Sequence, residues 1–70
     1  MDQYIESPRM ICDRLIDLKD GCWEKGTLNR EGIENFAIEV YRYEKRGYDV
    51  RLYGVVAGIL FKMQERQNRH

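Results

Sequence analysis

Few residues in this chain have the type and spacing that a reactive site requires. Cys12 is a candidate nucleophile, but the only histidine is the terminal His70, so no internal imidazole is available to activate the thiol. The spacing of Asp13, Asp17 and Asp20 places them on one helical face that could hold a cation, although acidic solvated faces are common. The chain has no glycine-rich phosphate loop. We therefore predict no catalytic site, no cofactor and no metal.

The start of the chain and its two cysteines, Cys12 and Cys22, bear on the cellular location. Asp2 and Glu6 precede any apolar run, and nothing near them resembles a secretion signal. Two thiols in such a chain are expected to be reduced core residues rather than a disulfide. The longest uncharged run, residues 52–61, is half of the roughly 20 residues that a membrane span needs. We expect a cytoplasmic protein with no membrane partner.

Length and composition predict one small folded domain covering residues 1–70. The chain is 43% hydrophobic and 34% charged, which is ordinary for a globular protein. A domain of this size buries only about 60% of the surface that its unfolded chain exposes, so a partner or a second copy would add stability.

Capping residues and apolar periodicity predict a compact all-α, three-helix fold. Ser7 and Pro8 begin the first helix and Gly21 ends it, Asn29 caps the second, and Asp49 is the expected cap of the third. A linker is expected over residues 21–28. For residues 48–57 a strand remains an alternative, because apolar and polar residues alternate at its start. The predicted helices cover about residues 8–20, 30–46 and 50–66.

The third predicted helix is apolar nearly all round when it is projected as a wheel. Two neighbouring helices can cover only part of such a surface, and the remainder would be an interaction site. Gly54 and Gly58 would let another helix approach closely. The alternative is that this helix is simply the central core helix. The residues that we expect to support self-association are Tyr53, Val56, Ile59, Leu60 and Met63.

Charge is distributed unevenly along the chain. Residues 1–24 carry six acidic and three basic side chains, whereas residues 41–70 carry three acidic and seven basic ones. Such a dipolar molecule can pair charges within its own fold, associate head to tail with a second copy, or present a basic face to an anion.

Aromatic and basic residues alternate over residues 41–53, around the turn between the second and third helices. Tyrosine rings beside cations suit both nucleic-acid contacts and protein interfaces. A helix-turn-helix reader is excluded, because the helix after the turn offers only Arg51 before an uncharged run. Weaker phosphate contacts stay open through Arg42, Lys45, Arg46, Arg66 and Arg69. The candidates for partner or anion contact are Trp23, Tyr41, Arg42, Lys45, Arg46, Tyr48 and Arg51.

The sequence therefore predicts a non-catalytic protein-interaction module, a regulator, inhibitor or adaptor, that forms a homodimer or larger homo-oligomer through its third helix. Its partners would be a second copy and an unidentified protein. The alternative is a module that binds nucleic acid or a nucleotide-like anion through the basic, tyrosine-rich segment 41–53.

Overall fold

A computed structural model describes residues 6–68 and confirms the all-α, three-helix fold. The predicted helix boundaries agree with the observed ones to within one residue. Residues 48–57 form no strand, because most of this stretch is helical. The elements in chain order are α1 (Pro8–Asp20), β1 (Trp23–Glu24), β2 (Thr27–Leu28), α2 (Arg30–Lys45) and α3 (Arg51–Gln67).

Helix α1 begins as its sequence predicts. Ser7 has extended backbone angles, and its hydroxyl oxygen accepts a hydrogen bond from the Met10 amide at 3.2 Å. Pro8 occupies the first helical turn, where its missing N–H leaves no intrahelical bond unmade. Gly21 ends the helix, and its own amide donates to the Asp17 carbonyl at 2.9 Å.

The segment expected to be a linker is a short β-hairpin. Strands β1 and β2 pair antiparallel, with Trp23 opposite Leu28 and Glu24 opposite Thr27. The two turn residues, Lys25 and Gly26, both have positive φ, at 54° and 82°. Two consecutive positive values are typical of the tight turn whose twist matches that of paired strands. The predicted linker is therefore a structured connection, which the sequence pattern did not predict.

Helix α2 is capped at both ends by local hydrogen bonds. The Asn29 side-chain oxygen accepts from the Glu31 amide at 2.9 Å, which confirms the predicted N-cap. At the other end Gly47 takes a φ of 96°, and its amide donates to Glu44. The Tyr48 amide donates to the Tyr43 carbonyl, which completes the two-bond glycine motif that commonly ends a helix.

The predicted N-cap of α3 is wrong. The capping position is occupied by Val50, which makes no side-chain capping bond, and Asp49 precedes it. The Asp49 carboxylate instead accepts a bond from the Arg51 side chain at 3.2 Å and one from the Arg51 amide, and these bonds lower the pKa of Asp49. Val50 is buried, so packing rather than capping fixes where α3 begins.

The core lies between the helices, with α2 in the central position. Helix α2 packs against both α1 and α3, whereas α1 and α3 contact each other little. Glu6, just before α1, contacts Tyr43 near the end of α2, so α1 runs antiparallel to α2. Gln67, at the end of α3, contacts Leu28 just before α2, so α3 is antiparallel to α2 as well. The buried apolar residues are Ile11, Leu15, Cys22, Leu28, Ile33, Phe36, Val40, Tyr43, Val50, Ala57 and Leu60.

The start of α2 passes very close to the end of α1. A Cβ atom placed on Gly32 would lie 3.1 Å from the Cys22 Cα and 3.3 Å from the Gly21 carbonyl oxygen. Both neighbours are backbone atoms, which cannot move aside cheaply. The absence of a side chain at Gly32 therefore allows α2 to pack closely against the α1–hairpin connection.

Candidate interaction surface

Four large apolar side chains on α3 are exposed to solvent. Leu52, Val55, Ile59 and Met63 have exposed fractions of 72%, 60%, 51% and 40%. Their spacing of three and four residues places them along one side of the helix, and we call these four residues the α3 row. A continuous apolar row of this kind on a surface helix is typical of a binding surface.

The opposite side of α3 faces the core. Ala57, Leu60 and Gln64 are buried there. The Gln67 side chain continues the same side and pairs with the main chain of Leu28, where its oxygen accepts at 2.9 Å and its nitrogen donates at 3.1 Å. Helix α3 is thus anchored to α2 and to the hairpin, and this anchoring leaves the α3 row uncovered.

The five residues predicted for self-association are divided between these two sides. Ile59 and Met63 belong to the α3 row. Leu60 is only 6% exposed, so it is a core residue and not a contact available on the surface. Tyr53 and Val56 are half-buried and pack against the core. Leu52 and Val55 were missed, although both are apolar residues of the same helical wheel.

A groove of about 340 Å³ lies between α2 and α3, on another side of α3 from the row. No atom lies within 4 Å of a Cβ placed on Gly54 or Gly58, so these positions open onto free space. Tyr41, which is 57% exposed, stands at the edge of this groove. The lining residues are Ala37, Val40, Tyr41, Glu44, Gly54, Ala57, Gly58 and Phe61.

The basic, tyrosine-rich segment is largely occupied by contacts within the fold. The Tyr43 hydroxyl donates to the Glu6 carboxylate at 2.8 Å, and burial together with this bond raises the pKa of Tyr43. The Tyr48 hydroxyl donates to the Glu6 carbonyl at 3.3 Å. The Arg46 guanidinium lies over both rings and pairs with the Glu6 carboxylate at 3.5 Å. Glu6 thus ties the start of α1 to the turn after α2.

The remaining basic candidates also contact other side chains, but the basic groups themselves lie at the surface. Arg42 pairs with Glu39 at 3.1 Å and Arg51 with Asp49 at 3.2 Å. The Lys45 ammonium lies 5.5 Å from the centre of the Tyr41 ring. Exposed pairs of this kind contribute little stability and leave the cations facing solvent.

Trp23 does not join these candidates in one site. It lies on the hairpin, which is next to the start of α2, whereas Tyr48 and Arg51 follow the end of that helix. The 16 residues of α2 separate the two regions by about 24 Å at 1.5 Å per residue. Trp23 is therefore an isolated exposed aromatic residue.

The two cysteines lie in different environments, and the expectation that both are core residues is wrong for Cys12. Cys22 is buried, its thiol lies 3.4 Å from the Leu18 carbonyl oxygen, and burial raises its pKa. Cys12 is exposed, and both thiols are free. A hydrogen bond with Cys12 raises the pKa of Tyr53, and burial adds to this effect.

Within residues 6–68, no group of histidine, cysteine, aspartate or glutamate side chains is arranged to hold a metal ion. Over the same residues, no helix combines the length and the apolar character that crossing a membrane requires.

The fold and the surface define a three-helix domain with an apolar helix exposed on one side. No protein-family model matches the chain, and no curated protein or solved structure matches it significantly.

Proposed function

We propose that this chain is a non-catalytic protein-interaction module that associates with a second copy of itself through α3 and binds another protein with the surface that remains. One observation carries the proposal. Helix α3 is apolar around most of its circumference, yet its own fold covers only the side that faces α2 and the hairpin.

The exposure of α3 has an energetic cost that association would remove. Burying a Leu, Ile, Val or Met side chain stabilises by about 1.5–3 kcal/mol relative to leaving it in water. Three such side chains on α3 are more than half exposed, and the fourth, Met63, is 40% exposed. A domain of 70 residues has a small core, so apolar surface buried against a partner would add substantially to its stability. A protein partner on α3 would supply the missing burial.

The proposal also covers the cellular location of the protein and the kind of partner that it binds. Free thiols at Cys12 and Cys22 suit a reducing compartment, and we propose that the protein works in the cytoplasm. Regulator, inhibitor and adaptor roles all require only that a folded domain present a surface to another protein.

The alternative function, binding of nucleic acid or a nucleotide-like anion, is favoured by the exposure of two cations. The side chains of Arg42 and Arg51 are 70% and 84% exposed despite their carboxylate partners. Arg66 lies near the other end of α3, about 22 Å from Arg51 at 1.5 Å per residue, so it does not join this surface. Arg69 lies outside the described residues. Such binding must weaken steeply as salt rises, because it releases counterions.

The mass in solution of a Val55→Asp variant tests the leading proposal. Val55 is exposed, so the substitution should leave the helices folded while placing a charge on α3. We expect the wild-type protein to associate and the variant to be a folded monomer. Circular dichroism provides the control for folding. A variant that associates as the wild type does would contradict association through this part of α3.

A further inference from the structure

Gly58, which lines the groove, lies midway along α3 between a cation and an acid. Arg51, Gly58 and Glu65 are seven residues apart, so they follow one another along a single line of the helix. Among residues 6–68, Glu65 has no ion-pair partner, and the pair of Arg51 with Asp49 is fully at the surface.

We propose that a second copy of the chain docks its own α3 into the groove between α2 and α3, antiparallel, with the two-fold axis at Gly58. In an antiparallel pair centred on one residue, positions equally far before and after that residue face each other. Arg51 precedes Gly58 by seven residues and Glu65 follows it by seven. Each Arg51 then faces Glu65 of the partner subunit, and the two ion pairs are equivalent.

The geometry of the groove favours this occupant. A helix can approach closely where its partner presents glycine, and nothing lies above Gly54 or Gly58. Val55 lies next to this line on α3, and Tyr41 stands at the rim of the groove. The contact would therefore cover exposed apolar groups of both helices around a line of close backbone approach.

The α3 row is less suited to a copy of itself. The charged residues that flank it, Lys62 and Arg66, are both cations, and no acidic side chain of α3 lies beside them. An antiparallel contact centred on the row would therefore form no ion pair between the two α3 helices, whereas the contact centred on Gly58 forms two. We therefore assign the groove and the neighbouring Val55 to the second copy, and the rest of the row, Leu52, Ile59 and Met63, stays open for a different protein.

This inference rests on the proposed self-association, and analytical ultracentrifugation of substituted proteins separates the two. Gly58→Gln adds a polar side chain in open space and replaces glycine by a better helix former. The variant monomer should fold at least as well as the wild type. We expect its dimer dissociation constant to rise by about tenfold or more, because the side chain prevents close approach. Ile59→Gln, on the row, is the matched control and should leave the dimer unchanged.

Charge reversal tests the antiparallel register. Arg51→Glu and Glu65→Arg should each weaken the dimer, by about three- to tenfold for two surface ion pairs. The double variant restores opposite charges and should recover most of the affinity. Arg51→Glu places an acid at the start of α3, and Glu65→Arg places a cation near its end. Both positions are favourable for the helix dipole. Weakened association would therefore not reflect an unfolded monomer.

Each outcome decides between the alternatives. Recovery in the double variant, with loss in Gly58→Gln and none in Ile59→Gln, supports the groove dimer. A dimer that survives Gly58→Gln but is lost in Ile59→Gln overturns the groove dimer and leaves self-association through α3 intact. A wild-type protein that stays monomeric at every concentration overturns both.

Discussion

The side-chain amide of Gln67 pairs with both main-chain groups of Leu28. Its oxygen accepts from the Leu28 amide at 2.9 Å, and its nitrogen donates to the Leu28 carbonyl at 3.1 Å. Leu28 already pairs with Trp23 across the hairpin, so Gln67 takes the place of a third strand. This contact fixes the last turn of α3 against the hairpin.

Replacing Gln67 with Met should therefore destabilise the fold. The change leaves the Leu28 amide and carbonyl without their partners, at a cost of about 1–3 kcal/mol in the free energy of unfolding. Gln64→Met is a matched control one turn earlier. The Gln64 side-chain oxygen is buried and has no hydrogen-bond partner, so this change should be neutral or stabilising. Urea unfolding measures both, and equal effects would contradict the role assigned to Gln67.

The glycines of α2 and α3 should respond oppositely to alanine. Gly32→Ala places a methyl group 3.1 Å from the Cys22 Cα, and we expect lower stability despite alanine's better helix propensity. Gly54→Ala meets open space and should raise stability of the monomer by about 0.5–1 kcal/mol. Thermal unfolding at low protein concentration compares the two. A stabilising Gly32→Ala would show that the start of α2 is not tightly packed.

A charged side chain should prevent folding at a core position of α3 and should be tolerated at a position of the α3 row. Leu60→Asp buries an unpaired carboxylate among apolar side chains and should prevent stable folding. Ile59→Asp, at the adjacent but exposed position, should keep the helical circular dichroism spectrum. If Leu60→Asp were a stable helical protein, the position of Leu60 in the core would be wrong.

Stability should fall in alkaline solution, in part through Tyr43. Burial and the bond to Glu6 raise the pKa of Tyr43, so the folded state holds the phenolic proton more tightly than the unfolded state does. This contribution is complete below the ordinary tyrosine pKa and is lost as pH rises through the raised value.

Tyr43→Phe removes that contribution. We expect the variant to be less stable at neutral pH by about 1 kcal/mol, because the bond to Glu6 is lost. Once the pH rises above the ordinary tyrosine pKa of about 10, the stability of the variant should decline less steeply than that of the wild type. Cys22, whose pKa burial also raises, is present in both proteins and does not affect the comparison. Parallel pH profiles would contradict the role of Tyr43.

The helix ends were predictable because their signals are local. Ser7 and Asn29 each bond to an amide two or three residues later, and Gly47 adopts the positive φ that such an end requires. Asp49 was mistaken for a cap because its type fits, while the burial of Val50 depends on the tertiary fold. The hairpin was missed since strands of two residues show no periodicity.

The candidate surface was predictable only in part. The composition of α3 indicates that its apolar surface is larger than two neighbouring helices can cover. A helical-wheel projection does not show which side of α3 those neighbours pack against. That side depends on the positions of α2 and the hairpin, so Leu60 was misplaced and Leu52 was overlooked. The role of Glu6, which binds Tyr43 and Arg46 some 40 positions away, has no local signal in the sequence.

The most direct test of the central claim is the solution mass of the wild-type protein, measured by light scattering over a series of protein and salt concentrations. Association through apolar surface on α3 predicts a mass that rises to that of a dimer or larger assembly and persists at high salt, since hydrophobic contacts are not screened. A monomer at every protein and salt concentration would contradict self-association and would direct attention to anions at the basic, tyrosine-rich segment.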